Sequence, residues 1–227
     1  MYIKVCLRPK DGNRNIRIPV RECQKQMNSY VHHVLGPDNP YHDRFSHYNI
    51  SELLGMKIDP KTNEYYLDER SVPRFTVSVY NDEPFLENFI EGLYRHTGDI
   101  FGLVFDYMEL NEFHVHDYCD KIVTTSPILL KVNDIKISVE DEGFIEQLTQ
   151  HCIKKLQRSG IVDKTFSLKI RRPDRARKKL KWVGGTWNIC SNVSLRVAGK
   201  PETRRALYQL GLGCSTGSGF GSVLVFD

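Results

Sequence analysis

The sequence predicts an α+β protein of two tandem ferredoxin-like units, each running β-α-β-β-α-β, and three observations predict it. Apolar residues fall on one face in three separate segments, the mark of amphipathic helices, and a fourth segment near the C-terminus has a helix's proline start and glycine end. Short strand-like runs fall before, between and after those helices in the same order in both halves. No low-complexity stretch or long linker separates the halves, so they are expected to pack together as residues 1–115 and 116–227, with the boundary between about Phe113 and Lys121.

In the first unit, Tyr2 to Leu7 alternates as a strand does. Val20, Cys23, Met27, Tyr30, Val31 and Val34 line one face of a helix that Gly36-Pro37 stops. A polar segment then runs to about Asn63. Glu64–Leu67 and Arg74–Tyr80 read as two strands of a hairpin or meander. Glu83 to His96 is a helix with Phe85, Phe89, Ile90 and Leu93 on one face, and Gly102 to Phe113 is strand-like.

The second unit repeats the order. Lys121 to Val132 is a strand pair or one long strand. Glu140 to Arg158 is a helix carrying Phe144, Ile145, Leu148, Cys152, Ile153 and Leu156. Thr165–Ile170 and Trp187–Val197 are strands. Pro201 to Leu210 is a helix with proline in its first turn and Gly211 at its end, and Ser222 to Phe226 is the last strand.

Composition narrows the function classes. The chain has 227 residues, 40% of them hydrophobic, enough for a core, and no apolar run approaches the roughly 18 residues that span a membrane. No secretory leader is evident at MYIKVCLRPK. The six cysteines show no C-x-x-C spacing and read as reduced thiols, so a cytoplasmic protein is expected. The net charge of +4 hides a segregation: Lys169 to Lys181, KIRRPDRARKKLK, carries a net of +7, which leaves −3 for the rest. A dense basic segment on a mildly acidic body suits a polyanion partner, although a charge run alone can be a solvated loop.

Five glycines crowd into Gly211 to Gly221 of GLGCSTGSGFGSVLVFD. A nucleotide-binding glycine loop follows a strand and opens a helix. Here a helix precedes the loop, a strand follows it, and no Lys-Ser/Thr pair completes a phosphate loop. The segment is therefore either a cradle for a phosphate backbone or a packed crossing.

Taken together, VAGKPETRRALYQLGLGCSTGSGFGSVLV (Val197–Val225), TSPILL (Thr125–Leu130) and YHDRFSHYNISELLG (Tyr41–Gly55) resemble the CRISPR-associated endoribonucleases of the RAMP superfamily, tandem ferredoxin-like proteins that cut precursor CRISPR RNA within its repeats. The resemblance implies repeat binding and a single metal-independent cut. In that cut the ribose 2′-hydroxyl attacks its own phosphate and leaves 5′-hydroxyl and 2′,3′-cyclic phosphate ends. It implies CRISPR repeat RNA as partner, no cofactor and no resident metal, with a monomer, a homodimer or membership of an effector complex all open. A non-catalytic RAMP subunit that only holds guide RNA is the alternative.

Such a reaction needs a base, an acid and groups that steady the phosphate. His42, after a proline in a polar segment, matches the family's catalytic histidine, and His47 could be its acid or base partner. Many family members carry a lysine near this point, where this chain has His47 and Tyr48. Tyr30 matches a tyrosine that some members use, but it also falls in the apolar series of its helix, and core packing is the stronger reading. His33, near the end of the same helix, is held in reserve. His114, His116 and Cys119 could seed a zinc site but lack a fourth ligand at usual spacing. The expected RNA-binding residues are Arg171, Arg172, Arg175, Arg177, Lys178 and Lys179 on a projecting hairpin or loop, and Gly213, Ser215, Thr216, Gly217, Ser218 and Gly219 in the glycine loop. Trp182 and Trp187 flank a Gly-Gly pair and read as hairpin anchors.

Overall fold

The computed structural model describes residues 1–36, 47–112 and 120–225. Two four-stranded antiparallel sheets organise them, each covered by two helices. The first is built from β1 (Tyr2–Pro9), α1 (Val20–Leu35), β3 (Tyr48–Ile50), β6 (Arg74–Val79), α2 (Glu83–Arg95) and β7 (Leu103–Asn111), in the sheet order β3-β6-β1-β7. The second uses β8 (Lys121–Thr124), α3 (Phe144–Arg158), β11 (Ser167–Ile170), β14 (Ser194–Ala198), α4 (Pro201–Leu210) and β15 (Val223–Val225), in the order β11-β14-β8-β15. Read along each unit's own strands, both orders are 2-3-1-4, the ferredoxin-like arrangement expected from sequence.

Each unit has its own core. In the first, Ile3 and Val5 of β1 and Phe75 and Val77 of β6 meet Met27 and Val31 of α1 and Phe85, Phe89 and Leu93 of α2. In the second, Ile122, Leu195 and Val197 meet Leu148, Cys152 and Leu156 of α3 and Ala206, Leu207 and Leu210 of α4. The apolar faces expected for the first three helices are the buried or half-buried faces. Asp82 caps α2 by accepting a hydrogen bond from the Phe85 N–H at 3.0 Å.

Several details differ from the sequence reading. The strand beside β6 is Tyr48–Ile50, from the stretch expected to be polar loop. Glu64–Tyr66 (β5) instead joins β2 (Arg17–Pro19) and β4 (Lys57–Asp59) in a separate three-stranded sheet. Lys121 to Val132 breaks at Ser126-Pro127, where proline has no N–H to offer a ladder. Its second part, β9 (Leu130–Val132), turns back on β10 (Ile135–Ile137). The run Trp187–Val197 is two strands, β13 (Thr186–Asn192) and β14, because β13 pairs with β12 (Arg177–Val183) in a hairpin outside the main sheet. The third helix starts at Phe144, not Glu140, since Gly143 before it has φ +76° and cannot continue a right-handed turn.

No described helix is long and apolar enough to cross a membrane. The described cysteines Cys6, Cys23, Cys152, Cys190 and Cys214 are free thiols.

Candidate nucleic-acid interface and cleavage site

Of the basic side chains in the segment, Lys169, Arg171, Arg175, Arg177 and Lys179 make no ion pair among the described residues and are exposed. Arg172 and Lys178 are exposed too, but Arg172 sits 3.4 Å from Asp174 and Lys178 3.8 Å from Glu140. Lys169 lies on β11, Arg171, Arg172 and Arg175 on the connection from β11 to β12, and Arg177, Lys178 and Lys179 on the hairpin β12–β13. The hairpin turns at Gly184 and Gly185, whose φ of +64° and +73° are the pair of positive angles that a two-residue hairpin turn favours. Trp182 and Trp187 face each other across the ladder next to that turn, edge to face at 5.4 Å, and so anchor the hairpin.

Lys181 behaves differently from its neighbours. It points inward, pairs with Glu52 at 2.7 Å, and donates to the Gly219 carbonyl at 2.7 Å and to Gln24 Oε1 at 3.1 Å. Its ammonium also lies 5.2 Å from the Phe220 ring centroid. Beneath it, Leu129, Val183, Cys190 and Phe220 form a small core of their own. The hairpin is thus bolted to both units at one lysine and leaves the remaining cations facing solvent.

The glycine loop is a packed crossing. Gly211, Gly213, Thr216, Gly217, Gly219 and Gly221 are buried, Ser218 is half-buried, and Ser215 is exposed. Gly221 shows why no side chain fits: its φ is +63°, and a Cβ there would stand 1.8 Å from the Leu212 carbonyl oxygen. The loop and the end of α4 that leads into it are wired to both units. From the first, Asn49 Nδ2 donates to the carbonyls of Gln209 at 2.7 Å and Tyr208 at 3.3 Å, and Asn28 Nδ2 donates to the Ser218 carbonyl at 3.2 Å. From the second, Lys155 on α3 donates to the carbonyls of Leu210 at 2.7 Å and Gly211 at 3.2 Å, and to Thr216 Oγ1 at 3.1 Å. Thr216 Oγ1 in turn donates to the Tyr48 carbonyl at 3.2 Å.

Lys155 is therefore a buried cation at the C-terminal end of α4, where unsatisfied carbonyls and the helix dipole both favour positive charge. Burial nonetheless pulls its pKa from 10.5 down to about 8. Sequence reading did not single it out. It occupies an ordinary helix position, and its acceptors lie more than fifty residues downstream.

Of the three expected catalytic residues, His42 lies outside the described residues, as do His114, His116 and Cys119. His47 is half-buried, directly before β3, and its carbonyl accepts the Tyr80 N–H at 2.9 Å. Tyr30 is only 2% exposed. It packs edge-on to Phe75 at 6.3 Å, and burial pushes its phenol up to about 12. Core packing is what the structure shows for it. Its ring also meets His96, edge-on at 5.0 Å, and His96 stacks on His33 with centroids 6.0 Å apart and planes 5° apart. Among the described residues no group of three or more His, Cys, Asp or Glu side chains stands together as metal ligands.

The family model described as CRISPR associated protein Cas6, C-terminal, matches residues 110–225, just over half of the chain. The chain belongs to the Cas6 family. Solved structures similar to it include "An RAMP protein binding different RNA substrates", 20% identical, covering 100% of both chains at a TM-score of 0.83. A structure titled "CRISPR associated protein Cas6" is 19% identical over 100% of this chain and 99% of its own, with a TM-score of 0.80. A Cas6-related protein from Pyrococcus furiosus is 17% identical over 100% and 98%, with a TM-score of 0.78. At these identities the likeness establishes a shared fold, the tandem ferredoxin-like fold of Cas6 and RAMP proteins. No curated protein matches the sequence.

Proposed function

We propose that this Cas6-family chain is an endoribonuclease that processes precursor CRISPR RNA within its repeats. The observation that carries the proposal is the family match over residues 110–225. The exposed cationic segment that runs from β11 into the hairpin β12–β13 supports it. Arg171, Arg172, Arg175, Arg177, Lys178 and Lys179 hold the repeat through its phosphates, where arginine forks also suit guanine edges of a stem. Ser215, the exposed hydroxyl of the glycine loop, and the half-buried Ser218 are further candidate RNA contacts.

Cleavage proceeds by attack of the ribose 2′-hydroxyl on the adjacent phosphorus, without a metal ion. The products carry a 2′,3′-cyclic phosphate and a 5′-hydroxyl. His42 is the principal proton-transfer residue and His47 its candidate partner, each step contributing about 10²–10⁴-fold.

The test is cleavage of a repeat RNA in excess EDTA by wild type and His42→Ala. A single cut with a 5′-hydroxyl end by wild type, lost in the variant while binding stays within a few-fold, is expected. Normal turnover by His42→Ala removes that residue from the mechanism. Stable binding with no cut by wild type transfers the chain to the guide-holding class.

A further inference from the structure

The imidazole of His96 lies on the wall of an open groove of about 510 Å³ that also takes in Arg8, Lys10, Tyr94, Thr97 and Asp106. Arg8 is matched by Asp106 at 3.5 Å, which leaves Lys10 and Asp11 as the other charged groups on that wall. Tyr94 is 69% exposed and stands edge-on to Phe105 at 5.3 Å, so its ring offers a face to the groove's outer edge. A cation and an accessible aromatic ring are the two elements that hold single-stranded RNA, one for phosphate and one for a base.

Behind the groove, His96 is held from three sides. His33 stacks on it, Tyr30 meets it edge-on, and the Gly98 backbone lies so close that a Cβ there would sit 2.3 Å from His96 Nε2. An imidazole packed on these sides and open on another to a groove that carries a cation and an aromatic ring has the placement that proton transfer requires. Resting on the endoribonuclease reading above, we infer that His96 is the general acid of the cleavage reaction, protonating the departing 5′-oxygen.

The step balances. The 2′-oxygen bonds to phosphorus while its proton passes to the base, the P–O5′ bond breaks, and protonated His96 gives its proton to O5′. Neutral His96, a cyclic phosphodiester and a 5′-hydroxyl remain.

The electrostatics of the cluster fit an acid. The groups that contact His96 or share its groove are His33 and Tyr30 from α1, Lys10 and Asp11 after β1, and the Arg8–Asp106 pair, while Arg95, next to it in the chain, is exposed and paired with Glu91 at 2.8 Å. Partial burial, and then His33, lower the His96 pKa. A lowered pKa makes the protonated ring the readier proton donor.

The experiment compares two repeat RNAs, one natural and one with sulfur replacing the bridging 5′-oxygen at the cut site. A thiolate departs without needing a proton. His96→Ala and the larger His96→Gln are expected to cut natural RNA at least about a hundredfold more slowly than wild type. Both are expected to cut the sulfur-bridged RNA within a few-fold of wild type, while His42→Ala stays slow on the two substrates. Each variant is measured on both RNAs in one preparation, so any misfolded fraction cancels from the ratio. Equal slowing on both RNAs, or no slowing on either, overturns the role of His96. Failure of wild type to cut either RNA overturns the endoribonuclease reading instead.

Discussion

The glycine loop and the basic hairpin look alike in sequence, two polar, flexible-looking segments fit to meet a phosphate backbone, yet the fold uses them in opposite ways. The loop is buried and wired to both units by Asn28, Asn49, Lys155 and Thr216. The hairpin segment uses one cation, Lys181, for attachment and leaves the others exposed. Glycine content therefore does not separate a phosphate cradle from a packed crossing. What separates them is whether the surrounding polar groups turn inward to the loop's carbonyls or outward to solvent.

That contrast can be broken at its most rigid point first. Gly221→Ala forces a Cβ against a backbone carbonyl at positive φ, and the expected loss is about 3 kcal/mol or more. Chemical denaturation measures it, and a loss under about 1 kcal/mol would mean the crossing is loose.

Lys155→Met comes next. It leaves the carbonyls of Leu210 and Gly211 without their donor, at a cost of about 1–3 kcal/mol at pH 7. The same residue gives a pH signature. Its folded pKa of about 8 lies below the ordinary 10.5, so between those values the unfolded chain keeps a proton that the folded one has lost. Stability from this group should rise across pH 8 to 10.5, and the burial cost should be fully present below about 8. Denaturation midpoints over that range should be flatter for Lys155→Met than for wild type, and parallel curves would rule the lysine out.

Asn49→Ala removes the donor to Gln209 and Tyr208 and should cost about 1–2 kcal/mol. Calorimetry reads it as a lower Tm.

The smallest effect on stability belongs to the basic segment that leads into the hairpin. Replacing Arg171, Arg172, Lys178 and Lys179 by glutamine should move stability by no more than about 0.5 kcal/mol per site. The slope of log affinity against log salt for repeat RNA should nevertheless fall by up to about 0.7–0.9 for each phosphate that is no longer neutralised. An unchanged slope would make the hairpin a solvated surface and leave the loop's Ser215 and Ser218 as the remaining RNA-binding groups to test.

Much of the frame was legible because it is written in local periodicity. The four helices, their buried faces, β1, β6 and the repeat of order all follow from apolar spacing. Tyr48–Ile50 was missed for a physical reason. Its central Asn49 breaks the apolar alternation, and the partners that make a buried asparagine tolerable lie 159 and 160 residues away. Lys155 was missed on the same ground. His96 was read only as a helix end, because its neighbours Tyr30 and His33 come from another helix. Among the site residues, sequence located the exposed cations of the basic segment and the core packing of Tyr30, since charge density and helical phase are local properties. Side-chain direction within the glycine loop is set by distant donors and could not be read from the chain alone.

The crossing also has a consequence in time. Every donor that the first unit offers to the loop is synthesised long before its acceptor: Asn49 precedes Gln209 by 160 residues, and Asn28 precedes Ser218 by 190. At the usual pace of translation the wait is roughly 10 to 40 s. During it, the first unit carries a buried-to-be asparagine and an uncovered face. The first unit can collapse on the ribosome, but the two halves cannot be clasped until the end of α4 and the glycine loop emerge, and the second sheet is complete only with β15 after them. Ribosome-bound chains stopped short of residue 211 should thus expose that seam to proteolysis.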